Sequence, residues 1–371
     1  MPINDSIPLL KLTGTPYDMG LKQGQAFKNQ MIELAEDRIQ LSGSTSWTGH
    51  EIPPARVLEL AEACVDEHVR YSEDLTEELR GMSDATGLSM AELIVLNGFT
   101  DFIDTVYALG SEASNGKPER WSDNCTAFIV PDHLSADGKG FFGQTWDMHA
   151  TAAEHVVLLQ IEPEQGPSAV VFTSVGCVGM IGVNEAGIAV GINNLAGADG
   201  QLGVTWPFVI RKMLAQTRIE DALACLTEAK LAGAHNYVLF DKEGKGFNVE
   251  AMGTAQHVSP LEQKSLVHTN HCTHPETLLR ERERSIELQD SSLRRKGDAE
   301  AALAGPGITV DDLMALTRDT NAVCTLSKPP NHVMTCGAAI MQPSTGKFWA
   351  VKGLPSENEY EFHPLPLHQP A

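Results

Sequence analysis

The chain has no cysteine pairs at metal or disulfide spacing, no surplus of positive charge and no long apolar run. Its seven cysteines, Cys64, Cys125, Cys177, Cys225, Cys272, Cys324 and Cys336, form an odd, scattered set without a C-x-x-C. That pattern reads as reduced thiols and excludes a disulfide frame. Lys and Arg number 27 against 49 Asp and Glu, a net charge of −22. Such a surface repels phosphate backbones and excludes nucleic acid as an expected partner. No stretch reaches the roughly 18 apolar residues that cross a bilayer, so no membrane partner is expected. The opening Met1-Pro2-Ile3-Asn4-Asp5 lacks a basic segment followed by an apolar one, which gives the expectation of a cytoplasmic protein. Gly176-Cys177-Val178-Gly179 and Gly182 lack both the lysine of a P-loop and the G-x-G-x-x-G order, and read as close strand packing or a tight turn. No internal repeat is present. What remains, 371 residues of which 42% are hydrophobic, suffices for a large core.

Residues 1–120 read as mostly helical after a short strand at 9–12. Thr15 and Pro16 supply an N-cap and a first-turn proline. Apolar residues recur at helical spacing through 31–39 and again through 57–82. Ser89 with Glu92 has capping-box spacing. From 126 onward the texture changes to short apolar runs divided by turn residues, at 126–130, 141–144, 156–161, 169–174, 178–183 and 187–193. Helical patterns follow at 207–216 and 219–228, then strands at 237–241, 247–252 and 266–270. A charged helix is expected over 276–293, its Arg/Glu alternation a solvated face. A further helix at 310–317 and strands at 338–342 and 348–351 complete the order. Strands grouped apart from helices fit an α+β layered domain.

Within that order one junction carries chemistry. Ser122-Asp123-Asn124-Cys125 delivers a cysteine onto the run 126–130. A turn at Asp137-Gly138-Lys139-Gly140 then returns a second run ending Gly143-Gln144-Thr145-Trp146-Asp147. Hairpin pairing of the two places Cys125 and Asp147 at one sheet edge. A thiol beside a carboxylate at a strand end can serve as a reaction centre, although lone cysteines are more often small buried hydrophobes.

Further pieces in order are Gly14-Thr15-Pro16-Tyr17-Asp18-Met19-Gly20, Glu78-Leu79-Arg80-Gly81-Met82, Leu96-Asn97, Asn124-Cys125-Thr126 and Gly143-Gln144-Thr145-Trp146-Asp147. Gly182-Val183-Asn184-Glu185-Ala186-Gly187, Asn193-Asn194-Leu195, His235-Asn236-Tyr237 and His268-Thr269-Asn270-His271 follow. The series resembles the isopenicillin N acyltransferase-like family of autoproteolytic acyltransferases and hydrolases, within the N-terminal nucleophile hydrolases. The resemblance implies an αββα sandwich with a mainly helical N-terminal segment, and cleavage between Asn124 and Cys125. It implies an α fragment, 1–124, and a β fragment, 125–371, associated as one domain. Cys125 would be the nucleophile, and its freed α-amine, with a reference pKa of about 7.7–8.0, the general base. Asp147 would hold that amine, Asn270 would supply an oxyanion-hole amide, and Arg318 would brace Asp147 or the Cys125 region. Gln144, Trp146, Thr126 and His268 would support the site or line its pocket. Two positions depart from the family pattern. Asn124 stands where the best-known members have glycine, and Thr325 follows Cys324 where an arginine is usual.

The expected activity is cleavage of the amide bond of a small N-acyl compound, without cofactor or metal. The absence of a basic cluster near the site favours hydrolysis over the alternative, acyl-CoA-dependent N-acyl transfer on the same fold. A papain-like thiol hydrolase would instead pair Cys125 with a distant histidine in an uncut chain. A non-enzymatic binding module is the third reading. His268, His271, Cys272 and His274 invite a metal, but on a strand 268 and 274 share a face that 271 does not. Helices within 20–100 are candidates for pairing in a homo-oligomer.

Overall fold

Short β-branched runs separated by asparagine and glycine turns pair into two sheets, in a computed structural model that describes residues 6–48, 51–109, 125–329 and 332–365. Among the described residues the first sheet runs β1 (Leu9–Gly14), β4 (Val156–Pro163), β5 (Ala169–Ser174), β6 (Ile181–Asn184), β7 (Ile188–Asn194), β8 (His235–Asp241), β9 (Gly246–Ala251) and β10 (Gln256–Pro260). The second runs β11 (Leu266–His268), β2 (Thr126–Val130), β3 (Phe141–His149), β12 (Val333–Gln342), β13 (Lys347–Lys352) and β14 (Glu361–Phe362). Strands are numbered in chain order. Neighbours are antiparallel except β1 on β4, so the N-terminal segment contributes a parallel edge strand to a sheet built from later residues.

Helices sandwich the sheets. α7 (Trp206–Met213) and α8 (Ile219–Thr227) pack on β7 and β8. α1 (Pro16–Ser42) docks along β1, with α2 (Thr45–Thr48), α3 (Pro54–Tyr71), α4 (Glu73–Thr86), α5 (Met90–Leu96) and α6 (Phe99–Leu109) gathered on it. A one-turn helix, α9 (Pro275–Leu278), precedes α10 (Ile286–Ala302) and α11 (Val310–Arg318), which cover the far side of the second sheet. β2 and β3 face β7 across the middle. This is the expected αββα arrangement.

Strand alternation divides the core. Ala127 and Ile129 point into the large cluster between the sheets, while Phe128 and Val130 point at Ala299 of α10, at Leu303 just past its end and at Leu313 of α11. Phe128 and Leu313 are fully buried, worth at most about 1.5–3 kcal/mol each.

Caps set the helix ends. Thr15 with Asp18, and Ser89 with Glu92, form reciprocal capping boxes. The helical period over 57–82 splits at Ser72, which turns extended and accepts from the Leu75 N–H, because a capping serine starts a new helix more readily than it continues one. The charged helix expected over 276–293 is likewise two pieces. Its break leaves Arg282 buried against Asp104, and its second half runs on to Ala302. The loop expected at 42–50 contains the short α2. Among the described residues no helix is long and apolar enough to cross a membrane.

Candidate active site

The β2–β3 hairpin pairs Thr126 with Thr145, which brings Cys125, one residue before β2, beside Asp147. The thiol is buried, with the Asp147 N–H donating to Sγ at 3.4 Å and the Asp147 carbonyl oxygen 3.8 Å from Sγ. The Asp147 side chain is fully buried, opposite Thr335 of β12, where a bulge interrupts the ladder. Its charge reaches the neighbouring cysteines. Burial pushes the Cys336 and Cys324 thiols up, and the Asp147 carboxylate adds to this in both. Thiols held this far up are poor nucleophiles at neutral pH. Asn124, the residue on the other side of the expected cut, lies outside the described residues.

A guanidinium ties Cys125 to Asn270. Arg295, on α10 and 1% exposed, donates through one nitrogen to the Cys125 carbonyl oxygen at 2.7 Å and the Thr126 hydroxyl oxygen at 3.0 Å. Its other terminal nitrogen donates to Asn270 Oδ1 at 3.0 Å. Burial pushes its pKa down to about 10, with Asp147 and Cys125 opposing the drop, so it remains a cation at neutral pH. The charge alternation of this segment read as a solvated face. The signal that points inward is the spacing of small residues, Ser292 and Ala299, around Arg295 on one helix face, and both are buried.

Asn270 stands at the end of β11, where the chain leaves the sheet after His268 instead of continuing as a strand. Its N–H donates to Ser292 Oγ at 2.9 Å, its side-chain Nδ2 to the Asn194 carbonyl oxygen at 3.0 Å, and Arg284 donates to its carbonyl oxygen. The loop around it hangs from one buried carboxylate. Glu250 on β9 accepts from the N–H groups of Thr273 and His274 at 2.7 and 3.2 Å, and from the hydroxyls of Thr273 and Thr277. His268 Nε2 lies 3.3 Å away. Burial works to raise the Glu250 pKa, but His268 and the threonine hydroxyls outweigh it and hold the carboxyl at about 2.

The remaining sequence candidates divide. Thr126 touches Arg295. Gln144 clasps the two sheets, its Oε1 accepting from the Ile192 N–H at 2.9 Å and its Nε2 donating to the Ile192 carbonyl. Trp146 and Met148, flanking Asp147, face a small cavity with Phe99, Trp206, Met180 and Arg38. His268 is buried in the Glu250 network, on the loop that carries Asn270. Arg318 is engaged elsewhere: it donates to the carbonyl oxygens of Pro355 at 3.1 Å and Asn358, pairs with Glu359 at 2.9 Å and lies over the Tyr360 ring. Arg295, and not Arg318, is thus the arginine in contact with Cys125, because the helix bearing Arg318 ends with its last turn directed at the 355–360 loop.

The four donors considered for a metal also separate. His271 contacts Ser292, Cys272 lies against Met252, and His274 stacks on His257 with centroids 3.3 Å apart and planes at 6°. His257, His274 and Glu276 do place donor atoms within 4.8 Å of one another. Rings stacked this flat direct their in-plane lone pairs side by side instead of toward one point, and His274 Nδ1 already accepts from the Glu276 N–H.

The model of the family described as acyl-coenzyme A:6-aminopenicillanic acid acyl-transferase matches residues 134–357. The span holds Asp147, Asn270, Arg295 and Arg318 and begins shortly after Cys125. A relative from Emericella nidulans, the 40 kDa form of acyl-coenzyme A:6-aminopenicillanic-acid-acyltransferase, is 25% identical over 264 residues, 70% of this chain and 68% of that one. Among solved structures the chain is similar to two variants of a conjugated bile acid hydrolase from Clostridium perfringens. These are 11% and 12% identical, with TM-scores of 0.41 and 0.45, over 66% and 65% of this chain and 97% of each of those. It is also similar to penicillin V acylase from Agrobacterium tumefaciens, 14% identical with a TM-score of 0.39, over 62% of this chain and 76% of that one. The family match takes in more than half of the sequence, and the chain belongs to the acyl-coenzyme A:6-aminopenicillanic acid acyl-transferase family.

Proposed function

We propose that the chain is a self-cleaving cysteine hydrolase that cuts the amide bond of a small N-acyl compound. The observation that carries the reading is the buried Arg295, which holds the Cys125 carbonyl and the Asn270 side chain at once. In the first reaction Cys125 Sγ attacks the carbonyl carbon of residue 124. The peptide C–N bond breaks, a thioester forms, and the nitrogen leaves as the α-amine of Cys125. Water hydrolyses that thioester, giving the fragments 1–124 and 125–371. In turnover the new amine takes the thiol proton, Sγ attacks the substrate carbonyl, and the amine product departs with that proton. Water then releases the acid. Asp147 holds the amine, and Asn270 Nδ2 with a backbone N–H receives the oxyanion.

The family's description favours a second reading, in which an amine replaces water and the acyl group comes from a thioester of coenzyme A. One set of measurements separates the possibilities. Intact mass and N-terminal sequencing of active protein should give two fragments, the second beginning at Cys125, and Cys125→Ala should give one inert chain. Recovery of full activity from an uncut chain would sink the proposal. Product analysis of N-acyl amide turnover, with and without an added amine and an acyl-CoA, tells hydrolysis from transfer.

A further inference from the structure

A cavity of about 390 Å³ lies between the first turns of α1 and α4, the β4–β5 turn and the end of α7. The volume lies within the range of small-molecule sites. Two of the charged side chains that line it are buried, Glu78 of α4, fully, and Arg211 of α7, 6% exposed. They are 3.6 Å apart, beyond hydrogen-bond reach. Among the described residues, neither Glu78 oxygen accepts a hydrogen bond and Arg211 Nε donates none. Buried charges kept for structure have these bonds filled, because desolvation outweighs a bare Coulombic attraction. Here the acceptors and the donor are left without hydrogen bonds in residues of the cavity wall. Burial raises the Glu78 pKa and Arg211 offsets part of it, as expected of a carboxylate short of donors. Both groups are held at backbone level. Gly20 lies directly on the Glu78 carbonyl, and Gly179 sits on the backbone of Arg211, so neither helix can turn its charge away.

We propose that this cavity binds a free α-amino acid with an apolar side chain, its ammonium on Glu78 and its carboxylate on Arg211. The charges fix the class, since one buried anion and one buried cation call for a ligand carrying one of each. Lys212 does not compete for the carboxylate, because its Nζ donates to the Tyr71 carbonyl oxygen at 2.7 Å. Met19, Leu75, Pro163 and Pro167 form the apolar wall that takes the side chain. Exposed Asp74 and Glu164 at the rim repel phosphorylated ligands of similar size. The lining shares no residue with the Cys125 region, so the site fills independently of turnover.

The test uses the full-length Cys125→Ala protein, which keeps it separate from the proposed catalysis. Calorimetric titration with L-leucine should show saturable one-to-one binding. Isoamylamine and 4-methylpentanoate, each lacking one charged group, should bind at least about tenfold more weakly, the effect of losing one charge-assisted hydrogen bond. Glu78→Gln should weaken leucine by a similar factor. Because that variant strands Arg211, the double variant Glu78→Gln with Arg211→Gln, checked for a cooperative melt, repeats the measurement on a neutral pair. Absence of binding by leucine, isoleucine, valine, methionine and phenylalanine up to their solubility would overturn the proposal, leaving water as the occupant. Equal binding by the double variant, or by the two analogues, would also overturn it.

Discussion

Arg295 holds Asn270 by its side-chain oxygen, 3.0 Å from a guanidinium nitrogen. A guanidinium only donates, so the atom facing it must be Oδ1, and the amide nitrogen is thereby turned the other way. Nδ2 spends one proton on the Asn194 carbonyl oxygen and has a second to offer. The orientation that the proposed oxyanion hole needs is thus imposed by a helix on the far side of the sheet.

Arg295→Lys should therefore act on kcat more than on KM. Lysine keeps the charge but cannot reach the Cys125 carbonyl and Asn270 Oδ1 together. The expected loss is roughly 10- to 100-fold in kcat, smaller than the effect of removing an oxyanion donor outright. Steady-state kinetics on fully processed protein would check it. A purely structural Arg295 would lower the folded fraction and leave the kcat per folded molecule unchanged.

Asn270→Asp separates the grip from the donor. The carboxylate still gives Arg295 its acceptor, but its second oxygen meets the Asn194 carbonyl oxygen that Nδ2 had bonded, so unfolding free energy should fall by roughly 1–3 kcal/mol. The amide N–H is gone, and kcat should fall by roughly 10²–10³. Chemical denaturation alongside turnover measures both.

Stability should decline in acid through Glu250. Its folded pKa of about 2 lies below the ordinary value of 4.5, so the carboxylate's contribution is complete above about pH 4.5. It is lost as pH falls toward 2. The shift corresponds to at most about 3 kcal/mol for this 1%-exposed residue. Urea unfolding of the parent and Glu250→Gln from pH 6 downward should show the gap between them closing across that window. A gap that stays constant would mean the Asn270 loop is not held by charge.

The hairpin joining Cys125 to Asp147 was legible because a turn, two apolar runs and their lengths set the register without help from the rest of the chain. Arg295 was not. Its helix begins beyond a break that charge alternation hides, and its partners come from β2 and the end of β11, some 170 and 25 residues away. Arg318 was misplaced for the same reason, since nearness to Cys324 in sequence says nothing about which side of a helix end a side chain leaves. The layered α+β order was legible in the grouping of strands and helices, whereas the Glu250 network needs the three-dimensional fold of the 268–277 loop.

Gly20 and Gly81, from the early motifs, mark where α1 and α4 cross, and substitution of Gly81 tests the contact. A Cβ on Gly81 would stand 2.2 Å from the Tyr17 carbonyl oxygen and 2.6 Å from the Leu21 nitrogen. Both atoms are α1 backbone, so no side chain can yield and the helices must part. Overpacking of this kind costs about 1–3 kcal/mol or more. The intrinsic gain of alanine over glycine in a helix, about 1 kcal/mol, offsets only part of it. Gly297 in α10 is the matched control, with nothing within 4 Å of its Cβ position. Gly81→Ala should destabilise and Gly297→Ala should stabilise by about 0.5–1 kcal/mol, so the same chemical change has opposite signs at the two sites. Equal effects in thermal or urea melts would show that the α1–α4 contact has slack, and Gly20 would then no longer fix where Glu78 points.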